Sequence, residues 1–382
     1  MLNNLKKTKK RIAENEISIR QNKTSSEYDM VVFCHLRWQF VYQRPQHLIS
    51  RLSKNLKTLL IEEPVSFEQN EENTATLLRI NDNLHVLQPK VSSIESIAAI
   101  LPQYIKSKST PIGWFYSASF SPLLTSLKFE ITIYDCMDEL SLFKGAPKVL
   151  IDQEKYLMSH ADIVFTGGKS LYESKKKLHT NVYCFPSSVD ETHFAKAQTE
   201  IIIPADVSNL KAPIIGYYGV IDERIDLELL HETAKLLPDT SFVMIGPLAK
   251  IDESDLPKAG NIHYLGMRSY EMLPNYLKAF DIAMMPFAIN DATKYISPTK
   301  TLEYMAAGKP IISTKITDVV RDYSNCIETI VTADEFAKTI VSVFKKRDEQ
   351  LCMPVEYYNI LKNTSWDTTV SRMESIIETF AK

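Results

Sequence analysis

The densest run of chemically useful side chains lies between Tyr295 and Thr314, in YISPTKTLEYMAAGKPIIST. Ser297 followed by Pro298 reads as an N-cap with proline at the first helical position, so a helix is expected to begin there. Such an N-terminus offers free N–H groups and the positive end of a dipole, both suited to a diphosphate. Lys300 falls in the first turn, where its ammonium adds charge to the same end. Glu303, three residues on, shares that face and could accept hydrogen bonds from sugar or ribose hydroxyls. The same spacing also suits an exposed Lys300–Glu303 ion pair, a common and weakly stabilising arrangement. Gly308 ends the helix before Pro310.

A second cluster stands in YDCMDELSLF, Tyr134 to Phe143, where Asp135, Asp138 and Glu139 follow an apolar run. A carboxylate at the end of a strand can order a substrate hydroxyl or take its proton. Asp138 could equally cap a following helix or pair with Lys144.

The elements that must hold these groups alternate. From Asp29 onward, short apolar runs exchange with helical patterns, the signature of βα units around a parallel sheet. The strands expected in the first half are MVVFCH, TLLIEE, LHVLQP, PIGWFY, ITIYDC, DIVFTG and NVYCFP. Helical patterns cover RPQHLISRLSKN and the stretches near 93–106, 148–160 and 169–178. Residues 195–212 have little periodicity and two prolines, and read as a linker. A new series then runs through PIIGYYG, SFVMIGP, IHYLG, DIAMMP and KPIIST. Val370, Met373, Ile376, Ile377 and Phe380 recur at helical spacing, so the chain should close with an amphipathic helix. The expected division is a basic leader (1–28), an acceptor-side domain (29–194), the linker, a donor-binding domain (213–364), and a helix (365–382) docking back on the first domain.

Composition narrows the function. The 382 residues carry 44 Lys plus Arg against 47 Asp plus Glu, a net charge of −3, so nothing makes nucleic acid the default partner. The five cysteines are scattered and odd in number, which suggests neither a disulfide framework nor a zinc site and fits a reducing, cytoplasmic setting. No apolar run approaches the ~18 to 20 residues that span a bilayer. Lys6, Lys7, Lys9, Lys10, Arg11, Arg20 and Lys23 outnumber Glu14 and Glu16 in the leader. That bias reads either as a solvated segment or as a peripheral contact with anionic lipid.

SPTKTLEYMAAGKPII, preceded in order by GYYGVIDERIDLELL, FVMIGP, HYLG and LKAFDIAMMPF, resembles the donor-binding half of GT-B glycosyltransferases, specifically the retaining family 4. The resemblance implies an α/β protein of two Rossmann-like domains, their parallel sheets facing a central cleft. It implies transfer of a sugar from a nucleotide-diphosphate donor, most often UDP-linked, to a hydroxyl of a glycan or lipid-linked acceptor. By position, Glu303 would hold the ribose hydroxyls. Lys300, with the N–H groups near Thr299 and the Ser297–Pro298 turn, would face the phosphates or the donor sugar. The Gly219–Arg224 turn would present Arg224 as a second phosphate clamp, unless Arg224 pairs with Asp222 or Asp226. Gly266 to Arg268 would border the base. The family's first glutamate of an EX7E pair is absent, with Tyr295 in its place eight residues before Glu303.

HLRWQFVYQRPQHLISRL resembles a narrower group, the bacterial surface-polysaccharide and teichuronic acid glycosyltransferases, in which the first loop enters the cleft. There His35, Arg37, Trp38, Gln43 and Arg44 could meet donor phosphate or an acceptor sugar, and Trp38 could stack on a pyranose or simply pack with Tyr42. Asp138, with Asp135 beside it, would serve the acceptor. No metal and no other cofactor is expected, because such enzymes leave the diphosphate to helix termini and basic side chains. A nucleotide-sugar epimerase and a non-catalytic binding subunit on the same frame are the rival readings. A dehydrogenase is disfavoured, since no GxGxxG follows any strand.

Overall fold

The computed structural model describes residues 27–65, 67, 72–107, 109–346 and 354–381. The leader therefore falls, but for its last two residues, outside the described residues.

The first sheet contains β1 (Met30–Cys34), β2 (Thr58–Glu62), β3 (Thr74–Arg79), β4 (Leu84–Lys90), β5 (Ser109–Phe115), β6 (Lys128–Cys136), β7 (Ile163–Thr166) and β8 (Val182–Cys184). Their spatial order is β3-β4-β2-β1-β5-β6-β7-β8. Every pairing is parallel except that of β3 with β4. β1 and β2 are buried along their whole length, which is why they read as continuous apolar runs. β3 escaped the sequence reading because it is an edge strand with Leu77 exposed, and so carries no apolar run or clean alternation.

Strand alternation divides the side chains of this sheet between two cores. Val31, Phe33, Leu59, Ile61 and Phe115 pack on one face with Phe120 and Leu123 of the 3-10 segment Ala118–Thr125. Met30, Val32, Cys34, Leu60 and Trp114 pack on the other with helix α1 (Arg44–Leu52). Two further helices, α2 (Val149–His160) and α3 (Lys169–Lys175), complete the βα alternation. The stretch near 93–106 is only a short helix, Ile97–Ile100, continued as the 3-10 turn Leu101–Gln103. Pro102 supplies no N–H to extend it.

The second sheet holds β9 (Ile214–Tyr218), β10 (Ser241–Ile245), β11 (Ile262–Gly266), β12 (Ile282–Met285), β13 (Ile311–Thr314) and β14 (Glu328–Ile330) in the order β11-β10-β9-β12-β13-β14, all parallel. Its helices are α4 (Leu227–Leu236), α5 (Leu273–Ala279), α6 (Thr299–Ala306), α7 (Thr317–Tyr323) and α8 (Ala333–Lys346), followed by α9 (Val355–Leu361). The final helix, α10 (Trp366–Phe380), buries Trp366, Val370, Met373 and Ile377 in the core of the first sheet. There the Trp366 ring stacks on His47 of α1 at 4.7 Å.

Residues 195–212 are held by polar ties: Gln198 Nε2 donates to the Ala306 carbonyl at 2.7 Å, and Asn275 Nδ2 to the Ile202 carbonyl at 2.8 Å. Ala197 and Val207 of this stretch are also buried in the core of the second sheet, ten residues apart and so too sparse to read as a period. The two sheets also meet through α3 and α7. The buried Asp318 carboxylate accepts from the Ser170 N–H at 3.1 Å and from its hydroxyl, at the N-terminal turn of α3. A Cβ on Gly168 would lie 2.7 Å from Asp318 Oδ2, so this approach requires glycine.

In both sheets the chain reverses its direction of growth, between β1 and β5 and between β9 and β12. Loops leaving the carboxyl ends of strands diverge at such points and open a crevice.

Candidate active site

The second crevice is built on two glycines. Gly219, directly after β9, has φ +139°, and Gly246, directly after β10, has φ +148°. A Cβ on Gly246 would sit 1.8 Å from the Gly219 carbonyl oxygen, and one on Gly219 would sit 2.3 Å from Cε of Lys300. Both turns thus leave room for backbone and for the Lys300 stem to pass closely. Lys300 Nζ lies 5.5 Å from the centroid of the Tyr217 ring. Among the described residues no carboxylate forms an ion pair with it. Burial lowers its pKa, and Glu303 and other carboxylates nearby offset this in part. A partly desolvated ammonium that makes no direct ion pair is an arrangement that an anion would complete.

Glu303 is buried, and its Oε2 accepts from the Tyr218 hydroxyl at 2.5 Å. Burial raises the pKa of this carboxyl, with Tyr218 and Lys300 acting against the rise. The exposed ion pair that spacing allowed is therefore not formed. The helix begins at Thr299, with Pro298 in the N-cap position at φ −65° and ψ 121° and no side-chain cap. Ser297 does not cap it: the proline holds the extended conformation that ends the loop, and the Ser297 carbonyl accepts from Ser187 Oγ at 2.7 Å. Thr299 Oγ1 donates to the same Ser187 hydroxyl at 3.1 Å.

Arg224 forms a fork with Asp222, with Nε at 3.0 Å from Oδ1 and Nη2 at 2.7 Å from Oδ2. Its guanidinium also lies 5.4 Å from the ring of Phe143, which comes from the first domain, and Lys250 Nζ lies 4.8 Å from that ring. The Lys144 N–H donates to Glu223 Oε1 at 3.2 Å, a second tie across the crevice. These contacts bring the Asp138 loop over the glycine turns. Burial raises the Asp138 pKa; Arg224, Arg44 and Lys300 act against this and Asp222 with it. Asp138, Arg224 and Lys300, chosen from distant parts of the sequence, therefore share one electrostatic environment.

Residues 212–346 match the family of glycosyl transferases group 1. A Bacillus subtilis (strain 168) protein named as the teichuronic acid biosynthesis glycosyltransferase TuaH is 27% identical over 222 residues, which cover 53% of this chain and 55% of that relative. The match thus spans about half the length of each. The structure of a sucrose-phosphate synthase from Thermosynechococcus elongatus superposes with a TM-score of 0.70 at 12% identity, covering 92% of this chain and 98% of the other. The chain has the GT-B fold, and its second half carries a glycosyl transferases group 1 domain. A further GT-B structure, a trehalose-6-phosphate structure from E. coli, gives a TM-score of 0.66 at 11% identity over 91% of this chain and 98% of that one.

Within this GT-B frame, several charged residues picked from the sequence are committed to internal partners. Arg44 is buried in α1 and binds Asp135 through Nε at 3.2 Å and Nη2 at 2.9 Å, while Nη1 donates to the Phe185 carbonyl at 2.7 Å. Two charges expected to meet ligand thus neutralise each other beneath the sheet edge. Arg37 donates to Glu62 at 3.1 Å and to the Glu63 and Pro64 carbonyls, and the Trp38 N–H donates to Glu62 Oε1 at 2.7 Å. The Trp38 ring packs partly buried on the α1 side of the sheet. The Gln43 N–H donates to Gln46 Oε1 at 3.0 Å, a contact that starts α1. Arg268 donates to Asp206 at 2.8 Å and to Tyr276 at 2.6 Å, although the main chain at Gly266, with φ +70°, remains exposed.

The acidic cluster of YDCMDE is also split. Asp135 faces Arg44, Asp138 faces the crevice, and Glu139 Oε2 lies 2.7 Å from the buried Lys175 ammonium, which binds Glu154 Oε1 at 2.7 Å as well. Among the described residues no three acidic, histidine or cysteine side chains gather as a metal would need. The sequence reading missed Tyr218, Gly246, Phe143 and Lys175. The two glycines of GYYG and MIGP at strand ends were the signal for one of them; Lys175 was hidden in the run Lys175, Lys176, Lys177, which resembles a solvated face.

Proposed function

We propose that the chain transfers a glycosyl group from a nucleotide-diphosphate sugar to a hydroxyl of a glycan or lipid-linked acceptor. The observation that carries this is the Lys300 ammonium, half-buried against the Gly219 turn with no ion-pair partner among the described residues, beside the Glu303 carboxylate. The ammonium and the first-turn N–H groups of α6 suit the diphosphate, and Glu303 suits the ribose hydroxyls. Arg224 would add its planar fork to the phosphates by exchanging part of its bond with Asp222. The E. coli relative described as bound with UDP-2-fluoro glucose favours UDP as the nucleotide, and TuaH favours surface-polysaccharide synthesis.

In the family 4 manner, the bond from the anomeric carbon to the diphosphate breaks as the acceptor oxygen attacks the same face. The acceptor proton passes to a leaving phosphate oxygen, and configuration is retained. Asp138 orders the attacking hydroxyl. The growing charge on the diphosphate is met by Arg224, Lys300 and the α6 terminus, so this reading calls for no metal. No helix among the described residues is long and apolar enough to cross a membrane. We place the chain in the cytoplasm, with the basic leader touching anionic lipid at the inner face.

The test is a thermal-shift screen of nucleotide-sugars with the whole chain, followed by mass spectrometry of products on glycoside and lipid-linked acceptors. A product whose mass rises by one sugar is expected. Tight nucleotide binding with no turnover on any acceptor would favour the binding-subunit reading that Tyr295 motivates.

A further inference from the structure

Asp222 stands two residues before Arg224, in the turn that follows β9, and the neighbouring loops hold that turn. The Ile221 N–H donates to the Pro247 carbonyl at 3.0 Å, after β10. After β12, the Ala288 N–H donates to the Arg224 carbonyl and the Pro286 carbonyl accepts from the Asp226 N–H, both at 2.8 Å. Within the turn, Asp222 Oδ1 accepts from the Arg224 N–H at 3.0 Å, and the Asp222 carbonyl accepts from the Ile225 N–H at 2.9 Å. An aspartate that binds the main chain two residues on fixes its own carboxylate as it fixes the turn. Asp226, the other acidic residue near Arg224 in sequence, is engaged elsewhere: its Oδ1 accepts from the Leu229 N–H at 2.8 Å and caps α4.

The anchored Asp222 carboxylate takes one edge of the Arg224 guanidinium. Nε lies 3.0 Å from Oδ1 and 3.1 Å from Oδ2, and Nη2 lies 2.7 Å from Oδ2. A guanidinium carries five N–H donors in one plane. Both Nη1 hydrogens and the outer Nη2 hydrogen are left over, and among the described residues Nη1 makes no hydrogen bond. That outer edge is itself a fork spaced for two oxygens of one phosphate. A ligand can reach it, because the Arg224 side chain is 25% exposed while the carboxylate behind it is only 8% exposed. The Phe143 ring, 5.4 Å from the guanidinium, restrains it further. Lys300 is close enough to feel both members of the pair, and Asp138 close enough to act on Arg224. The Asp222 carboxylate thus also offsets the repulsion between two neighbouring cations.

We infer that Asp222 is a positioning residue for the donor: it holds the Nε edge of Arg224 so that the Nη1–Nη2 edge meets the diphosphate already ordered. The Nε bond to Asp222 persists when the diphosphate is bound, and only Nη2 is shared between the two anions. Ordering a long side chain before the ligand arrives removes that entropy cost from binding. This rests on the transferase reading and deepens it, since it separates the residue that touches phosphate from the residue that aims it.

The test uses the whole chain with UDP and, independently of the base, inorganic pyrophosphate as probes. Asp222→Asn keeps an oxygen for the turn N–H but loses the charge, Arg224→Met keeps the stem, and thermal unfolding confirms that each variant and the double variant fold. Calorimetry of the four proteins closes a double-mutant cycle. Removing the Asp222 charge should favour anion binding wherever Arg224 is absent. Relative to its effect in Arg224→Met, Asp222→Asn should therefore weaken binding of either probe at least about fivefold when Arg224 is present. A pair that serves only the fold would couple in thermal unfolding and not in diphosphate affinity. In arginine-labelled protein, the Arg224 Nε–H resonance, identified by its loss in Arg224→Met, should remain protected with UDP bound, and exchange rapidly in Asp222→Asn. Coupling within about twofold of none, or loss of the protected Nε–H on UDP binding, would overturn the role of Asp222. Diphosphate binding with this coupling supports that role even if no acceptor receives a sugar, a result that counts against the transferase reading alone.

Discussion

Replacing Lys300 with methionine separates a ligand-binding cation from a structural one. Methionine keeps an unbranched stem to lie over Gly219 and the Tyr217 ring, and removes only the ammonium. A charge-assisted hydrogen bond to a phosphate is worth about 1.5 to 3 kcal/mol, or roughly 10- to 150-fold in UDP affinity. An oriented donor acting on the leaving group supplies about 2 to 4 kcal/mol at the transition state, so turnover should fall roughly 30- to 1,000-fold. The ligand-free protein should behave oppositely. With no ion pair to lose among the described residues, and with a partly desolvated charge removed, Lys300→Met should unfold at the same temperature as wild type or higher.

The pH dependence adds a check on sign. Burial holds the Lys300 pKa below the ordinary lysine value of 10.5, so the unfolded chain binds more protons than the folded one in the interval between the two. Lys300 therefore makes wild-type stability rise as pH climbs through that interval, and the methionine variant should lack this contribution. Calorimetric UDP titration, coupled detection of released UDP and thermal unfolding at several pH values measure the three effects. UDP affinity and turnover within about threefold of wild type, less than one lost charge contact, would refute the assignment. A markedly lowered unfolding temperature would show instead that the ammonium holds the fold together.

Three further substitutions have defined outcomes. Glu303→Gln keeps an acceptor for Tyr218 but loses the charge, so UDP affinity should drop about 10- to 100-fold by calorimetry with little change in stability. Because burial raises the Glu303 pKa, wild-type affinity should also fall as pH is lowered through that raised value, while the variant stays flat. Lys175→Met leaves Glu139 and Glu154 facing each other without a cation, and should cost about 3 to 5 kcal/mol in denaturant unfolding. Gly246→Ala forces a Cβ into the Gly219 carbonyl at a φ that L-residues avoid, and should cost at least about 1 to 3 kcal/mol and impair nucleotide binding.

Much of the donor side was legible as residues but not as contacts. Lys300 and Glu303 could be chosen because a helical period puts them on one face, three residues apart. Whether they pair, or lie side by side with Glu303 bound elsewhere, depends on Tyr218 and Gly219 at the end of β9, some 80 positions away in the chain. On the acceptor side, Arg44 and Asp135 looked equally available, yet they lie 91 residues apart and satisfy each other.

The sequence by itself determined the alternation of strands and helices, two α/β series and the glycine and proline that bound α6, because apolar period, turn chemistry and capping are local properties. Only the tertiary structure decided which charges are spent on each other and which stay open. Arg37, Arg44, Asp135 and Arg268 find partners, whereas among the described residues Lys300 forms no ion pair. That division follows from parallel register and sheet order, which bring the ends of β1, β2 and β5, and the turns after β9 and β10, to the two points where the chain reverses. No local pattern encodes those pairings, because each joins residues held together only by the packing of the whole domain.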